Sequence, residues 1–252
     1  MKGTPLVIAA LALAASLALP PGPAFAHLRD YIFNQGYHTS RKGEFEIELY
    51  NDLNLKEADN DGSYSSKHQV ELEYGLTDHL QLAYYEVFKW DRRDDFERDE
   101  LKLEAKYRLL ESGELPVDIT LYGEYKNPNG RHDRRSDAAE LKLILSKDLG
   151  PWNITGNLIT ERKLNQHDPW AFEYTLGVSR PIHPKLRLGL ELKEGLGTTE
   201  DLGVHRKGHK LQIMPLLAWS PTPKSRVLFG PAFGLTRGSD DVQLKSIVSF
   251  EF

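Results

Sequence analysis

After residue 43 the chain consists largely of runs in which apolar and polar residues alternate. In the first run, Phe45, Ile47 and Leu49 are separated by glutamates. Because successive side chains of a strand point to opposite faces, this period of two predicts strands with one apolar and one polar face. No stretch beyond the N-terminus keeps an apolar period of 3.6, so we predict an all-β protein of about 12 strands, within a range of about 10–14. The runs are residues 44–55, 67–76, 80–90, 101–108, 117–125, 139–145, 152–158, 170–178, 186–192, 211–219, 227–235 and 242–252.

The gaps between these runs alternate in length. Gaps after even-numbered runs are short, as at Thr77–His79 and Pro181–Pro184, whereas those after odd-numbered runs are mostly longer and more charged, as at Asp91–Glu100 and Asn127–Asp137. Outer-membrane barrels combine short periplasmic turns, long external loops and an even number of strands. The sequence therefore predicts a transmembrane antiparallel up-and-down β-barrel over residues 43–252, with both of its ends in the periplasm.

All four tryptophans lie near the ends of runs, on the apolar face of each run. In the predicted topology Trp90 and Trp170 belong to the external rim, and Trp152 and Trp219 to the periplasmic rim. Outward aromatic girdles at both interfaces are typical of membrane barrels. The large apolar side chains of a soluble barrel would face inward instead. The tryptophans therefore favour a lipid-facing exterior and a polar lumen.

The N-terminus has the pattern of an export signal. An apolar run from Leu6 to Leu19 follows Lys2 and leads to prolines and then Ala24-Phe25-Ala26. The run is shorter than the roughly 20 residues of a membrane-spanning helix, and a basic start with an A-x-A site is typical of a signal peptide. We predict that residues 1–26 are cleaved and that the protein is exported to the bacterial outer membrane. Residues 27–42, which contain several aromatic and charged residues, could form a periplasmic tail or a plug in the lumen.

Composition excludes several other classes. The mean hydropathy of −0.49 is too low for a bundle of membrane helices. The formal net charge of −5 shows no basic excess, so no nucleic-acid partner is predicted. The absence of cysteine excludes disulfides and cysteine-based metal or nucleophilic sites. We expect no cofactor. The expected partners are outer-membrane lipid and lipopolysaccharide, the barrel-assembly machinery and an unidentified small solute.

The polar face of the predicted barrel carries unevenly distributed charges. The first two runs place five glutamates on one wall with no base between them, and the fourth run supplies three bases. Like charges on paired strands repel, so cations must offset them. An acidic wall facing a basic wall would filter polar solutes by its transverse field, whereas ion pairs across the lumen would fill and close it. The predicted acidic wall is Glu44, Glu46, Glu48, Glu71 and Glu73, and the predicted basic wall is Lys102, Lys106 and Arg108.

Three segments carry a resemblance to known proteins. Residues 242–252 end in Phe250 and Phe252 after alternating apolar positions, and they resemble the C-terminal signal that the barrel-assembly machinery recognises, although Ser246 occupies a usually apolar position. Residues 74–80, YGLTDHL, and residues 145–158 resemble uncharacterised porin-like outer-membrane barrels related to phenol-degradation-pathway (MetA-pathway) proteins. That resemblance implies a barrel that transports small molecules, and it implies no catalytic residues.

A search for catalytic and metal motifs favours a protein that is not an enzyme. The sequence contains no G-x-S-x-G elbow, H-E-x-x-H zinc motif or P-loop. His27, which would become the N-terminal residue, is a weak candidate for copper(II) through its amine and imidazole. We expect a passive channel for a small polar or amphipathic solute. The alternatives are a closed barrel that binds ligand through its external loops and, less favoured, a barrel enzyme.

Overall fold

The structure is a computed structural model that describes residues 29–56, 64–91, 96–129, 136–164, 168–204 and 208–252. These residues form strands and turns, and no helix among them is long and apolar enough to cross a membrane. The strands are β1 (Phe45–Lys56), β2 (Ser65–Gly75), β3 (Leu80–Asp91), β4 (Glu97–Arg108), β5 (Asp118–Pro128), β6 (Ala138–Leu149), β7 (Trp152–Lys163), β8 (Ala171–His183), β9 (Leu186–Thr198), β10 (Asp201–Leu202), β11 (Lys210–Thr222), β12 (Ser225–Gly234) and β13 (Val242–Glu251).

Twelve of these strands form one closed antiparallel barrel. Each barrel strand pairs with its neighbour in sequence, and β13 pairs with β1 to close the ring. The two-residue β10 pairs only with β9 and extends that hairpin beyond the barrel wall. At the seam, the backbone N–H of Phe252 donates to the carbonyl of Phe45 at 2.9 Å. The predicted all-β barrel of twelve strands is confirmed.

The two ends of the barrel differ in their connections, as the gap lengths predicted. At one end β6 joins β7 through residues 150–151, and β8 joins β9 through residues 184–185. Connections at the opposite end are mostly longer, as between β1 and β2 and between β5 and β6. Both ends of the barrel sequence, Phe45 and Phe252, lie at the short-turn end. Several strands run further than predicted: β7, for example, continues to Lys163.

The barrel wall has an apolar exterior and a mainly polar interior. In β2, Leu72 and Tyr74 are 37% and 46% exposed, while the adjacent Glu71 is fully buried. This arrangement is the reverse of a soluble barrel and is typical of a barrel surrounded by lipid. The exposed outward side chains include Leu49, Val70, Leu82, Tyr84, Leu103, Tyr107, Leu121, Tyr125, Leu141, Leu158, Leu176, Leu217 and Phe229.

An apolar patch interrupts the polar interior on the wall formed by β11, β12 and β13. Leu216, Leu228 and Ile247 point inward and are buried against Tyr31 and Tyr50. Tyr31 belongs to the segment that precedes β1. The interior of the barrel is therefore packed in part by residues from outside the wall.

Candidate functional site

Residues 29–40 lie inside the barrel, in the half nearer the short turns, and Arg41 and Lys42 are exposed at its mouth. Tyr31, Asn34 and Tyr37 are at most 3% exposed, although they belong to no strand. Their partners are inward side chains from widely separated strands, so the segment crosses the lumen. Gly43, with a φ of +84°, then turns the chain into β1. The described part of residues 27–42 therefore lies within the lumen, and we call residues 29–42 the luminal segment.

Glu191 on β9 is the main anchor of the luminal segment. Its carboxylate accepts hydrogen bonds from the backbone N–H groups of Ile32, Phe33 and Asn34 at 2.7, 2.8 and 2.9 Å. The side-chain amide of Asn34 donates a fourth at 3.0 Å. Glu191 is fully buried, so water does not solvate its carboxylate. Successive backbone N–H groups take the place of water, an arrangement that binds anions elsewhere in proteins.

Polar side chains of β7 hold the same segment from the neighbouring wall. Asn157 and Gln35 form two hydrogen bonds: Asn157 Oδ1 accepts from the Gln35 backbone N–H at 2.7 Å, and Asn157 Nδ2 donates to the Gln35 carbonyl at 3.0 Å. The Tyr31 hydroxyl donates to Asn153 Oδ1 at 2.8 Å. On β8, Gly177 leaves the space that the Tyr31 ring occupies. These contacts fix one face of the luminal segment.

Charged contacts tie the start of the segment to β1, β9 and β12. Arg29 donates to Glu48 at 3.0 Å, and Asp30 pairs with Arg187 at 3.3 Å and with Arg226. Burial raises the pKa of the Asp30 carboxyl, but the two guanidinium groups outweigh burial and hold that pKa below its ordinary value. The segment thus contributes a positive and a negative group, each with an opposite charge on the wall.

The predicted acidic wall is mostly inside the barrel. Glu46, Glu48, Glu71 and Glu73 are buried and come from paired positions on β1 and β2, Glu46 opposite Glu73 and Glu48 opposite Glu71. Glu44 differs because it precedes β1, where its carboxylate accepts the Arg41 backbone N–H at 2.7 Å. Glu44 therefore belongs to the turn at the barrel mouth and lies outside the buried cluster.

The predicted basic wall does not form a surface opposite the acids. Lys106 lines the same small cavity, of about 140 Å³, as Glu46 and Glu73. Arg108 lies at the short-turn end, where it binds Glu111 and the Asp78 carbonyl. At these two positions acids and bases lie side by side, as in the alternative in which ion pairs fill the lumen.

Lys102 belongs to a chain of alternating charges in the half of the lumen nearer the long loops. Glu124 lies 3.8 Å from Lys102 and 3.4 Å from Lys126, and Glu140 lies 2.6 Å from Lys126 and 2.7 Å from Lys142. These groups line a cavity of about 470 Å³. Interleaved charges of this kind present both signs to a solute within a few ångströms.

Aromatic groups complete this outer cavity. The Phe33 ring of the luminal segment contributes to its lining, and the ammonium groups of Lys193 and Lys245 lie 5.9 and 5.8 Å from the centre of that ring. Tyr85 and Tyr122 line the same space. The cavity therefore offers ionic contacts and ring faces together.

The predicted girdle residues occupy the two ends of the barrel. Trp90 lies one residue from the end of β3, and Trp170 directly precedes β8, both at the long-loop end. Trp152 begins β7, and Trp219 lies near the end of β11 at the short-turn end. Trp219 is 47% exposed. Phe250 and Phe252 are exposed at the seam, and their function as an assembly signal stays a prediction.

Other predictions fall outside the described residues. These are the signal peptide at residues 1–26, the copper candidate His27 and the central parts of the two external loops proposed to bind ligand, residues 92–95 and 130–135.

Sequence reasoning did not single out the residues that hold the luminal segment. Asn153, Asn157 and Glu191 alternate with apolar or small neighbours, as other lumen-facing residues do. A single sequence therefore does not separate a residue that anchors the segment from one that only lines the lumen. Gly177 is the useful signal, since a glycine inside an alternating strand often marks a close approach of another part of the chain. The aromatic residues of the luminal segment are the corresponding signal on the other side of this contact.

No protein-family model matches the chain, and no curated protein matches it in sequence. Solved structures with similar folds exist. An outer-membrane channel from Pseudomonas putida F1 matches with a TM-score of 0.61 and 14% identity, covering 88% of this chain and all of that one. The KdgM porin, also solved in complex with disordered oligogalacturonate, matches with a TM-score of 0.59 and 9% identity, over 82% of this chain and 99% of its own.

A third similar structure is the NanC porin, with a TM-score of 0.57 and 10% identity over 82% of this chain and 98% of its own. At these identities the similarity establishes the fold. This chain is a twelve-stranded barrel, and its fold is similar to that of proteins described as outer-membrane channels and porins.

Proposed function

We propose that the protein is a porin-like channel of the bacterial outer membrane, through which a small polar or amphipathic solute passes passively. The exposed apolar exterior and polar lumen support a location in lipid, because a soluble barrel would reverse these faces. The similar folds, which belong to proteins described as channels and porins, support the same class.

The observation that carries the proposal is the arrangement of the lumen around the luminal segment. A charged cavity of about 470 Å³ lies on the long-loop side, and residues of the segment, including Ile32 and Phe33, form part of its lining. On the opposite side of the segment lies the smaller acidic cavity. The segment therefore stands between two polar spaces along one axis, and it acts as a gate whose displacement joins them.

The outer cavity also indicates the kind of solute. Alternating lysines and glutamates would bind both an acidic and a basic group, and the Phe33 and Tyr122 rings would pack against an apolar part. We propose a small zwitterionic or amphipathic solute that enters from the long-loop side. The relation to phenol-degradation-pathway proteins is part of this proposal and rests on residues 74–80 and 145–158.

A reversible lock tests both the channel and the gate. The chain contains no cysteine, so Gln35→Cys and Asn157→Cys together introduce a single pair at positions whose groups already form hydrogen bonds. In planar bilayers we expect conductance from the wild-type protein and from the reduced pair variant, and its loss when the pair is oxidised. The single variant Gln35→Cys controls for the oxidant and should conduct under both conditions.

Two results would contradict the proposal. A folded wild-type protein that never conducts contradicts the channel itself. Conductance that is unchanged by oxidation, with the disulfide verified by mass spectrometry, contradicts the gate and leaves a channel in which solutes pass beside the segment.

The closed barrel with a binding function is the second candidate. It is favoured by the number of walls to which the luminal segment is hydrogen-bonded, because a segment held so extensively could close the lumen permanently. In that case the outer cavity would be a ligand site, and the absence of conductance would accompany saturable binding of a zwitterionic solute. An enzyme is the least favoured class, and an assay of lipid and peptide turnover tests it.

A further inference from the structure

The buried glutamates near the luminal segment form a cluster with more acid than base. Glu46 and Glu48 on β1 lie directly opposite Glu73 and Glu71 on β2. Glu104 on β4 is also buried and lies in line with Glu73 across β3. Like charges directly opposite each other on paired strands are destabilising. A protein that keeps such a group of carboxyls out of water must either compensate them with positive charge or protonate some of them.

The neighbouring basic groups compensate this cluster only in part. Arg29 lies 3.0 Å from Glu48 and 3.9 Å from Glu71. Lys106 is buried and lines the cavity that contains Glu46 and Glu73. Five carboxyl groups therefore share Arg29, Lys106 and Lys142, and Lys142 is also paired with Glu140.

Hydrogen bonds satisfy one side of the cluster and leave the other free. Both oxygens of Glu48 have partners, Ser249 at 2.6 Å on one and Arg29 with Tyr50 on the other. In contrast, Oε1 of Glu46, Oε1 of Glu71 and Oε1 of Glu104 are buried and have no hydrogen-bond partner among the described residues. Buried oxygens normally have a hydrogen-bond partner, so these three indicate a position at which a positively charged group would bind.

The spacing of the oxygens fits a particular class of ion. One carboxylate oxygen from each of Glu48, Glu71 and Glu73 lies within 4.8 Å of the other two. Calcium binds oxygen at about 2.3–2.6 Å, so two of its ligand oxygens can be up to about 5 Å apart. Magnesium demands a near-ideal octahedron and gives up its water reluctantly, so a buried set of several protein carboxylates suits calcium better.

We propose that Glu48, Glu71 and Glu73 bind a divalent cation, Ca²⁺, inside the barrel, with Glu46 at the edge of the site. The ion would offset the excess carboxylates and link β1 to β2 beside the luminal segment. This site is independent of whether the lumen conducts, because it rests on the geometry of the cluster alone. The competing arrangement is one in which the carboxyl groups share protons and bind no metal.

The test measures binding directly. The mature chain is refolded from urea into detergent, so that no lipopolysaccharide is present to bind calcium, and residual metal is removed with a chelator. Isothermal titration calorimetry with CaCl₂ is expected to give one site in the wild-type protein, and affinity for MgCl₂ at least about tenfold weaker. The double variant Glu71→Gln with Glu73→Gln should not bind calcium. Calcium should raise the midpoint temperature of thermal unfolding of the wild-type protein and leave that of the variant unchanged.

The matched control removes two glutamates of the outer cavity. Glu124→Gln with Glu140→Gln deletes the same number of charges from positions that already contact lysines, and calcium binding should persist. Folding of the variants is checked by the heat-dependent shift in their gel migration. If Glu71→Gln with Glu73→Gln does not fold, Glu46→Gln is used instead and should weaken calcium binding.

Absence of calcium binding by the wild-type protein would overturn the proposal and leave proton sharing as the explanation of the cluster. Equal binding by the wild-type protein and by Glu71→Gln with Glu73→Gln would also overturn it. So would loss of binding in Glu124→Gln with Glu140→Gln while Glu71→Gln with Glu73→Gln retains it.

Discussion

The Tyr31 ring lies so close to the backbone of Gly177 that a Cβ added to this glycine would stand 2.6 Å from Cε1 of Tyr31. Gly177 belongs to the barrel wall and Tyr31 to the luminal segment, so this contact joins the two parts that a gate must separate. A side chain at position 177 and the docked ring cannot occupy the same space.

Gly177→Val should therefore displace the luminal segment. Overpacking at a buried site costs about 1–3 kcal/mol, which raises the ratio of undocked to docked segment by about 5- to 150-fold. In planar bilayers we expect longer or more frequent open periods. Gly123→Ala is the control, because a Cβ at that position would meet only Leu141 at an ordinary 3.7 Å. Unchanged gating in Gly177→Val would show that Tyr31 does not hold the segment closed.

The three glutamates at the start of the acidic wall should differ in their effect on ion selectivity. Glu48 is paired with Arg29, and Glu44 lies in the turn with Arg41, whereas Glu46 has an unpartnered buried oxygen. Glu46→Gln should shift selectivity furthest toward anions, and Glu44→Gln least. The measurement is the reversal potential across a KCl gradient. An equal shift for both variants would contradict this order.

Acid should release the start of the luminal segment. The pKa of Asp30 is lowered in the folded protein by Arg187, Arg226 and His38, which together outweigh the effect of burial. A lowered pKa means that the carboxylate contributes its full stabilisation above the ordinary value of about 3.9, and loses it as the pH falls through the lower folded pKa.

Conductance of the wild-type protein should be recorded at neutral pH and at a pH below the folded pKa of Asp30. It should be higher at the acidic pH. Asp30→Asn lacks the titrating group, so its open probability should be higher at neutral pH and change less with acid. Parallel pH curves for the two proteins would assign the acid response to another group.

A charged side chain on the exterior should lower the free energy of unfolding more, the deeper it lies in the membrane. Leu158 is 56% exposed in the middle of β7, and Leu149 is 54% exposed at the end of β6. In a lipid-facing barrel, arginine costs about 2–4 kcal/mol at the midplane and about 0–1 kcal/mol near an interface. Leu158→Arg should therefore lower the free energy of unfolding in lipid vesicles by the larger amount and Leu149→Arg by the smaller. Similar values for both would argue against a lipid-facing wall.

The barrel could be predicted from the sequence because its signals are local and repeated. Alternation around Phe45 or Leu72 fixes which side chains share a face, and short turns such as residues 184–185 fix which strands pair. No repeated pattern of this kind predicts the position of the luminal segment. It depends on contacts such as Glu191 with Ile32, between residues far apart in sequence, which alternation does not encode.

The charge pattern was predictable only in part for the same reason. The burial of Glu48 and Glu71 follows from strand parity. The partner of each lysine depends on the offset between neighbouring strands, which places Lys126 between Glu124 and Glu140. A wall-by-wall count of charges contains no information about that offset.

The seam between β1 and β13 has a consequence for how the molecule is made. Almost all other pairings of the barrel join neighbours in sequence and can form as hairpins, whereas this one joins strands at opposite ends of the barrel sequence. Loop-closure entropy makes so distant a pairing the slowest to form. Until it forms, an intermediate presents two unpaired strand edges that can recruit other chains. Biogenesis of this protein must therefore protect those two edges longest, and a mutation at the seam would lower yield before it changed any property of the finished barrel.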